Sequence, residues 1–218
     1  MRTRNFMRTP LLAVLITLGT AFLELPANAA APVPRPAKEF TIAPPQGPQI
    51  LISSLKGKVT VVQFLFTWCP HCQAFSKVLT QMNSEYGPRG FLALGVAFND
   101  QPDNPEDKVP LKDKVQAYTK EYAGFPVGVS SRTPVLTYLG ISELERIGVP
   151  QIIIIDRKGV IREQSPTQGG GPLGDPAHLK PLIESLLAEG APAKGPAKTG
   201  TSTTKPAEKK TAEKKTSE

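Results

Sequence analysis

The chain has 218 residues, a formal net charge of +7, 23 prolines and only two cysteines. The charge is uneven: residues 191–218 carry +4, residues 1–29 carry +2, and residues 30–190 carry only +1. That near-neutral middle excludes a nucleic-acid footprint, which would need clustered basic and aromatic side chains, and two cysteines with two histidines leave little for a zinc site.

Taken in chain order, residues 1–29 have the make-up of a secretory signal. Arg2, Arg4 and Arg8 precede an apolar stretch from Leu11 to Leu23, and Ala27-Asn28-Ala29 is a small-residue cleavage site. Export is therefore expected, to the periplasm or another extracytoplasmic space, with a membrane anchor retained if the signal is not cleaved. Outside the cytoplasm a disulfide persists, and a redox-active cysteine pair meets folding proteins. Residues 30–48 hold Pro32, Pro34, Pro36, Pro44, Pro45 and Pro48 and read as an extended linker. The globular domain is expected over residues 49–190.

Within it, a short strand near Ile50–Ile52 leads through the turn Leu55-Lys56-Gly57-Lys58 into an apolar, β-branched run from Val59 to Phe66. The run breaks at Thr67 and meets Trp68-Cys69-Pro70-His71-Cys72. Phe75, Val78, Leu79 and Met82 then recur at helical spacing, and Gly87-Pro88 ends the helix by Tyr86. Both cysteines thus fall at a helix N-terminus, where free backbone N–H groups and the helix dipole favour a thiolate, the reactive form of cysteine.

Farther on, Phe91–Phe98 reads as a second buried strand and Asn99–Pro110 as a polar loop. Leu111–Tyr122 reads as a helix, Phe125–Val129 as a short strand and Val135–Ile147 as an irregular helical segment. Gln151–Ile155 is a central strand. Asp156-Arg157-Lys158-Gly159 turns it into Val160–Glu163, a hairpin at the sheet's antiparallel edge. An amphipathic helix from Asp175 to Leu187 closes the domain, with Leu179, Leu182, Ile183, Leu186 and Leu187 inward. His178 is expected on the surface. Strands alternating with helices indicate an α/β domain with a mixed sheet flanked by helices. Residues 191–218, rich in Lys and nearly free of apolar side chains, read as a disordered tail able at most to hold weakly to an anionic surface.

The blocks Leu55–Lys58, Phe64–Cys72 and Gly148-Val149-Pro150 with Ile153–Ile161 resemble the thioredoxin superfamily, and within it the exported TlpA/ResA-like thiol-disulfide oxidoreductases. The resemblance covers roughly residues 40–187. It implies a thioredoxin-like fold with a TlpA/ResA-like insert. It implies further that Cys69 attacks, that Cys72 resolves, and that Pro150 is a cis proline beside the pair. Its implied partners are client proteins with thiols or disulfides and an unidentified redox partner. The redox-active disulfide Cys69–Cys72 is the only redox group, with no further cofactor and no metal. Trp68, Val149 and Pro150 would form the client-binding rim.

Two features depart from that subgroup. The dipeptide Pro70-His71 resembles that of DsbA-like oxidants, as does Val149 before Pro150. Gln63 stands where thioredoxins place a buried, proton-relaying aspartate, and Gln cannot ionise. Pro70 and His71 are the expected tuners of thiolate stability and potential. Each unit by which a thiol's pKa falls is worth on the order of 30 mV in a two-electron couple, toward the oxidant side.

Other chemistries fit less well. A peroxidase would want Thr-x-x-Cys, and Thr67 is one residue too close to Cys69. Gly169-Gly170-Gly171 lacks the lysine of a phosphate loop. A structural staple over so short a loop would stabilise little. A non-enzymatic alternative is a thioredoxin-fold module for haem-protein or metal-centre assembly.

Overall fold

The computed structural model describes residues 30–98 and 108–189. The expected signal at 1–29, the tail at 191–218 and most of the polar loop 99–110 lie outside them. Among the described residues eight strands and four α-helices follow in order: β1 Arg35–Pro36, β2 Thr41–Ile42, β3 Ile50–Leu51, β4 Val59–Leu65, α1 Pro70–Tyr86, β5 Phe91–Ala97, α2 Leu111–Tyr122, β6 Val127–Val129, α3 Arg132–Leu139, β7 Gln151–Ile155, β8 Val160–Gln164 and α4 Pro176–Ala188.

Six strands make one mixed sheet in the order β1-β8-β7-β4-β5-β6. β4, β5 and β6 are parallel, with Val61 beside Ala93 and Val96 beside Gly128. β7 runs antiparallel to β4, pairing Val62 with Ile153, and β8 antiparallel to β7. This is the α/β arrangement that the alternating elements indicate, and the thioredoxin-like fold that the resemblance implies. Every residue of β4 and β7 is buried, as strands covered on both faces must be.

The period-two alternation of side chains sorts these strands into two cores. Val59, Val61, Leu65, Ile152 and Ile154 face α1, α2 and α4, packing on Phe75, Leu79, Met82, Val115, Leu179 and Ile183. Val62, Phe64, Ile153 and Ile155 face the other way, onto Val135, Leu136, Leu139, Phe40 and Ile42. Gln63 falls between Val62 and Phe64 on the α1 side, which places an amide inside the first core.

Three expectations need correction. Residues 30–48 are not a free linker. β1 pairs with β8 (Arg35 with Ile161), β2 pairs with β3 (Ile42 with Ile50), Ala43 bridges Val129, and Phe40 and Ile42 are buried. Prolines suppress local structure, but edge pairing needs only a few donors, and the apolar pair Phe40 and Ile42 covers the second core. It follows that the β7–β8 hairpin is not the edge, because β1 lies outside it. Finally, the helix expected over 135–147 is α3 at Arg132–Leu139. It stops at Gly140 (φ 67°), whose N–H satisfies the carbonyls of Leu136 and Thr137, the left-handed C-terminal cap that glycine suits best.

Candidate active site

α1 follows β4 directly, so the connection Phe66–Cys69 delivers both cysteines to the C-terminal end of β4, beside the start of the antiparallel β7. Cys69 is the capping residue in extended geometry (φ −75°, ψ 117°), and Pro70 occupies the first helical position, where its missing N–H would be unpaired anyway. The Cys69 N–H donates to the Phe66 carbonyl at 3.1 Å, and its carbonyl accepts from Gln73 at 3.0 Å. Both cysteines are free thiols. Cys69 retains 6% exposure while Cys72 has none. Of the two, only Cys69 keeps any contact with solvent.

Val149-Pro150 is a cis peptide bond and lies against the pair. The Cys69 thiol points at the Val149 carbonyl, 3.9 Å away. Pro70, His71 and Trp68 are exposed at the rim. Trp68 is 50% exposed and stacks on Phe66, with centroids 5.4 Å apart. His71, Phe75, Val78, Val149, Pro150 and the glycine arm 169–171 line a groove of about 640 Å³. A second cleft of about 300 Å³ opens on the other side of Trp68, between Thr67 and the α2 residues Lys114, Tyr118 and Tyr122. All seven residues singled out from the sequence thus meet at one end of the sheet. His178 lies elsewhere, with its Nε2 3.2 Å from Glu163, and the described residues contain no cluster of three or more metal-ligating side chains.

Beneath the cysteines is a buried polar network that the sequence did not reveal. Gln63 Nε2 donates to the Cys72 carbonyl at 3.0 Å, and Ser76 Oγ donates to Gln63 Oε1 at 2.7 Å. The Tyr118 hydroxyl donates to the same Cys72 carbonyl at 2.9 Å and lies 2.7 Å from Ser76 Oγ. Burial pushes the Cys72 thiol up from its ordinary value. Hydrogen bonding and charge interaction with Cys69 add to the rise, and the Phe66 backbone opposes it. Burial likewise raises the Tyr118 phenol.

A second unforeseen residue is Gln151, next to Pro150. It is fully buried, and its Nε2 donates to the carbonyls of Gly148, Pro166 and Thr167 at 2.9, 2.9 and 3.1 Å. Gly148 N–H donates to Thr167 at 2.9 Å, and Gly170 N–H to Pro150 at 2.8 Å. The backbones touch so closely that a Cβ on Gly148 would sit 1.8 Å from the Gln168 oxygen. The proline loop and the glycine arm are thus one unit. A polar residue opening the most apolar run of the chain was the available signal.

Comparison with known proteins agrees with this fold. The model of the AhpC/TSA family matches residues 33–164. The chain is 24% identical over 128 residues to the thiol-disulfide oxidoreductase ResA of Bacillus thuringiensis (strain Al Hakam), and 24% identical to that of Bacillus anthracis. Each alignment covers 59% of this chain, and the chain spans 66% of the length of each relative. Among solved structures, a putative protein disulfide isomerase from Bacteroides thetaiotaomicron superposes with a TM-score of 0.57 at 22% identity, over 75% of this chain and 94% of that one. A putative thiol:disulfide interchange protein DsbE from Chlorobium tepidum gives 0.54 at 20% identity, over 71% and 95%. At such identities the superpositions establish the shared fold.

Proposed function

The chain belongs to the AhpC/TSA family, with the thioredoxin-like fold of thiol-disulfide oxidoreductases, and from that premise we propose that it exchanges disulfides with client proteins through Cys69 and Cys72. The observation that carries this reading is the arrangement of the two thiols. Cys69 keeps 6% exposure and its thiol lies 3.9 Å from the carbonyl of Val149, a residue that lines the groove, while Cys72 is fully buried.

With the pair reduced, the Cys69 thiolate attacks a client disulfide and releases one client sulfur. Cys72 then attacks Cys69, expels the second client sulfur and leaves the Cys69–Cys72 disulfide. With the pair oxidised, a client thiolate attacks Cys69 and Cys72 departs, and a second client thiolate takes the first off as a client disulfide. No further cofactor is needed, because the electrons reside in the cysteine pair. Trp68, Val149 and Pro150 form the rim that receives an extended client segment. Pro70 and His71 favour the Cys69 thiolate, which raises the potential of the couple and makes the disulfide a stronger oxidant.

We place the protein outside the cytoplasm on the signal pattern of residues 1–29. Among the described residues no helix is long and apolar enough to cross a membrane. The reading is tested by titrating the Cys69–Cys72 couple against glutathione and by expressing Cys72→Ser. The variant should retain clients as mixed disulfides on Cys69, visible on non-reducing gels and lost with thiol. A Cys72→Ser protein that captures no disulfide-bonded proteins, together with a pair that cycles with neither glutathione nor a model client, sinks the proposal. It would favour a binding or assembly module instead.

A further inference from the structure

The main-chain carbonyl of Cys72 is enclosed by polar side chains, and among the described residues none of these is a base. Gln63, Ser76 and Tyr118 are each at most 2% exposed and close on its carbonyl through contacts of 2.7–3.0 Å. Two hydroxyl hydrogens serve three contacts: Ser76 to Gln63, Ser76 with Tyr118, and Tyr118 to Cys72. Both hydroxyls are therefore engaged within this network.

The titratable neighbours among the described residues can be named element by element. α1 and its cap contribute Cys69 and the exposed His71. α2 contributes Tyr118, with Tyr122, Lys114 and Glu121 farther out around Trp68. β4 and the 149–151 segment contribute none, and the arm beyond contributes Asp175, in the groove on the His71 side. The phenol of Tyr118 is held protonated by burial and so cannot accept a proton near neutrality.

On the footing that the pair performs thiol-disulfide exchange, we propose that Gln63, Ser76 and Tyr118 are positioning residues. They form an uncharged cradle that keeps Cys72 a thiol until solvent base removes its proton. Attack by Cys72 on a Cys69 mixed disulfide then becomes the slow, pH-governed step.

The step balances as follows. The Cys72 thiol gives its proton to hydroxide and its sulfur bonds to the Cys69 sulfur. The bond from Cys69 to the client breaks, and the electron pair leaves on the client thiolate. In the mixed disulfide Cys69 no longer carries a thiol, so its share of the effect on Cys72 disappears. Burial, the largest cause, remains. The attacking thiolate is then a small fraction that grows about tenfold with each pH unit. A long-lived linkage of this kind favours clients that carry a second thiol, because that thiol competes with Cys72 to complete the exchange.

The test uses the whole reduced chain and the aromatic disulfide dithiobis-nitrobenzoate. Cys69 takes one nitrothiobenzoate and releases the other, and Cys72 then expels the first in a phase independent of reagent concentration. The leaving group is a strongly acidic thiol, so the pH dependence of that second phase reports Cys72. Wild type should accelerate about tenfold per unit from roughly pH 6 to 9 without a plateau. Gln63→Glu should be at least about fivefold faster near pH 8 and show an inflection as the new carboxyl ionises, while Gln63→Leu keeps the wild-type slope. An inflection in the wild-type profile, the mark of a base already reaching Cys72, overturns the proposal, and this arm needs no variant to fold. A folded Gln63→Glu with the wild-type profile overturns it too. Absence of any second nitrothiobenzoate instead defeats the exchange reading on which the proposal rests.

Discussion

Replacing Gln151 with Met removes one buried amide and keeps an unbranched chain of similar length, so it isolates the tie between the proline loop and the glycine arm. Three donated bonds disappear, but the loss is smaller than three times a hydrogen bond. The Pro166 carbonyl still accepts from Gly169 at 2.8 Å, and the Thr167 carbonyl from Gly148 at 2.9 Å. Only the Gly148 carbonyl is stripped of its partner among the described residues, and it is half-buried. Leaving one such group unsatisfied costs about 1–3 kcal/mol. Against this, Gln151 Oε1 has no partner among the described residues, and removing it relieves a buried acceptor. The net expectation is a loss of about 1–2 kcal/mol, read as a lower urea midpoint at unchanged slope. Exchange at Cys69 should also slow, since Val149 and Pro150 lose their anchor.

Gln151→Glu sharpens the test. A carboxylate facing three carbonyl oxygens would have its folded-state pKa raised above the unfolded value. Its penalty would be absent below the ordinary glutamate range and grow as pH rises above it. A Met variant within about 0.5 kcal/mol of wild type, or a Glu variant whose stability relative to wild type ignores pH, would refute the anchoring argument.

Two further outcomes are expected. Ile42→Ala should lose about 2–5 kcal/mol, because Ile42 is fully buried and packs against Gly128. Calorimetry on the whole chain checks this, and a negligible change would restore the reading of residues 30–48 as a linker. His71→Pro should lower the reduction potential by on the order of 30 mV, a modest shift because the ring is exposed. A glutathione titration giving the same potential for both proteins would make the histidine a bystander.

Much of this protein was legible in residue order because the signals are local. The β-branched run Val59–Leu65, the helical spacing of Phe75, Leu79 and Met82, and the stop at Gly87-Pro88 each act within a few residues. They set β4, α1 and the place of the cysteines at a helix start. The family blocks carried Pro150 with them.

What tertiary structure alone decided is set by contacts between residues distant in sequence. β1 and β2 have two residues each, too short for any periodicity, and exist because β8 and β3 offer free edges. Gln63, Ser76 and Tyr118 come from one strand and two helices, and nothing local marks Ser76 or Tyr118 as partners of Cys72. Gln151 opens a strand whose other side chains are all isoleucine, and its amide acquires meaning only where residues 166–167 return beside Gly148. Local pattern placed the sulfurs because a helix start is a property of neighbouring residues. The polar groups that control the buried sulfur were fixed by tertiary packing, since a buried donor must find its acceptor wherever the chain brings one.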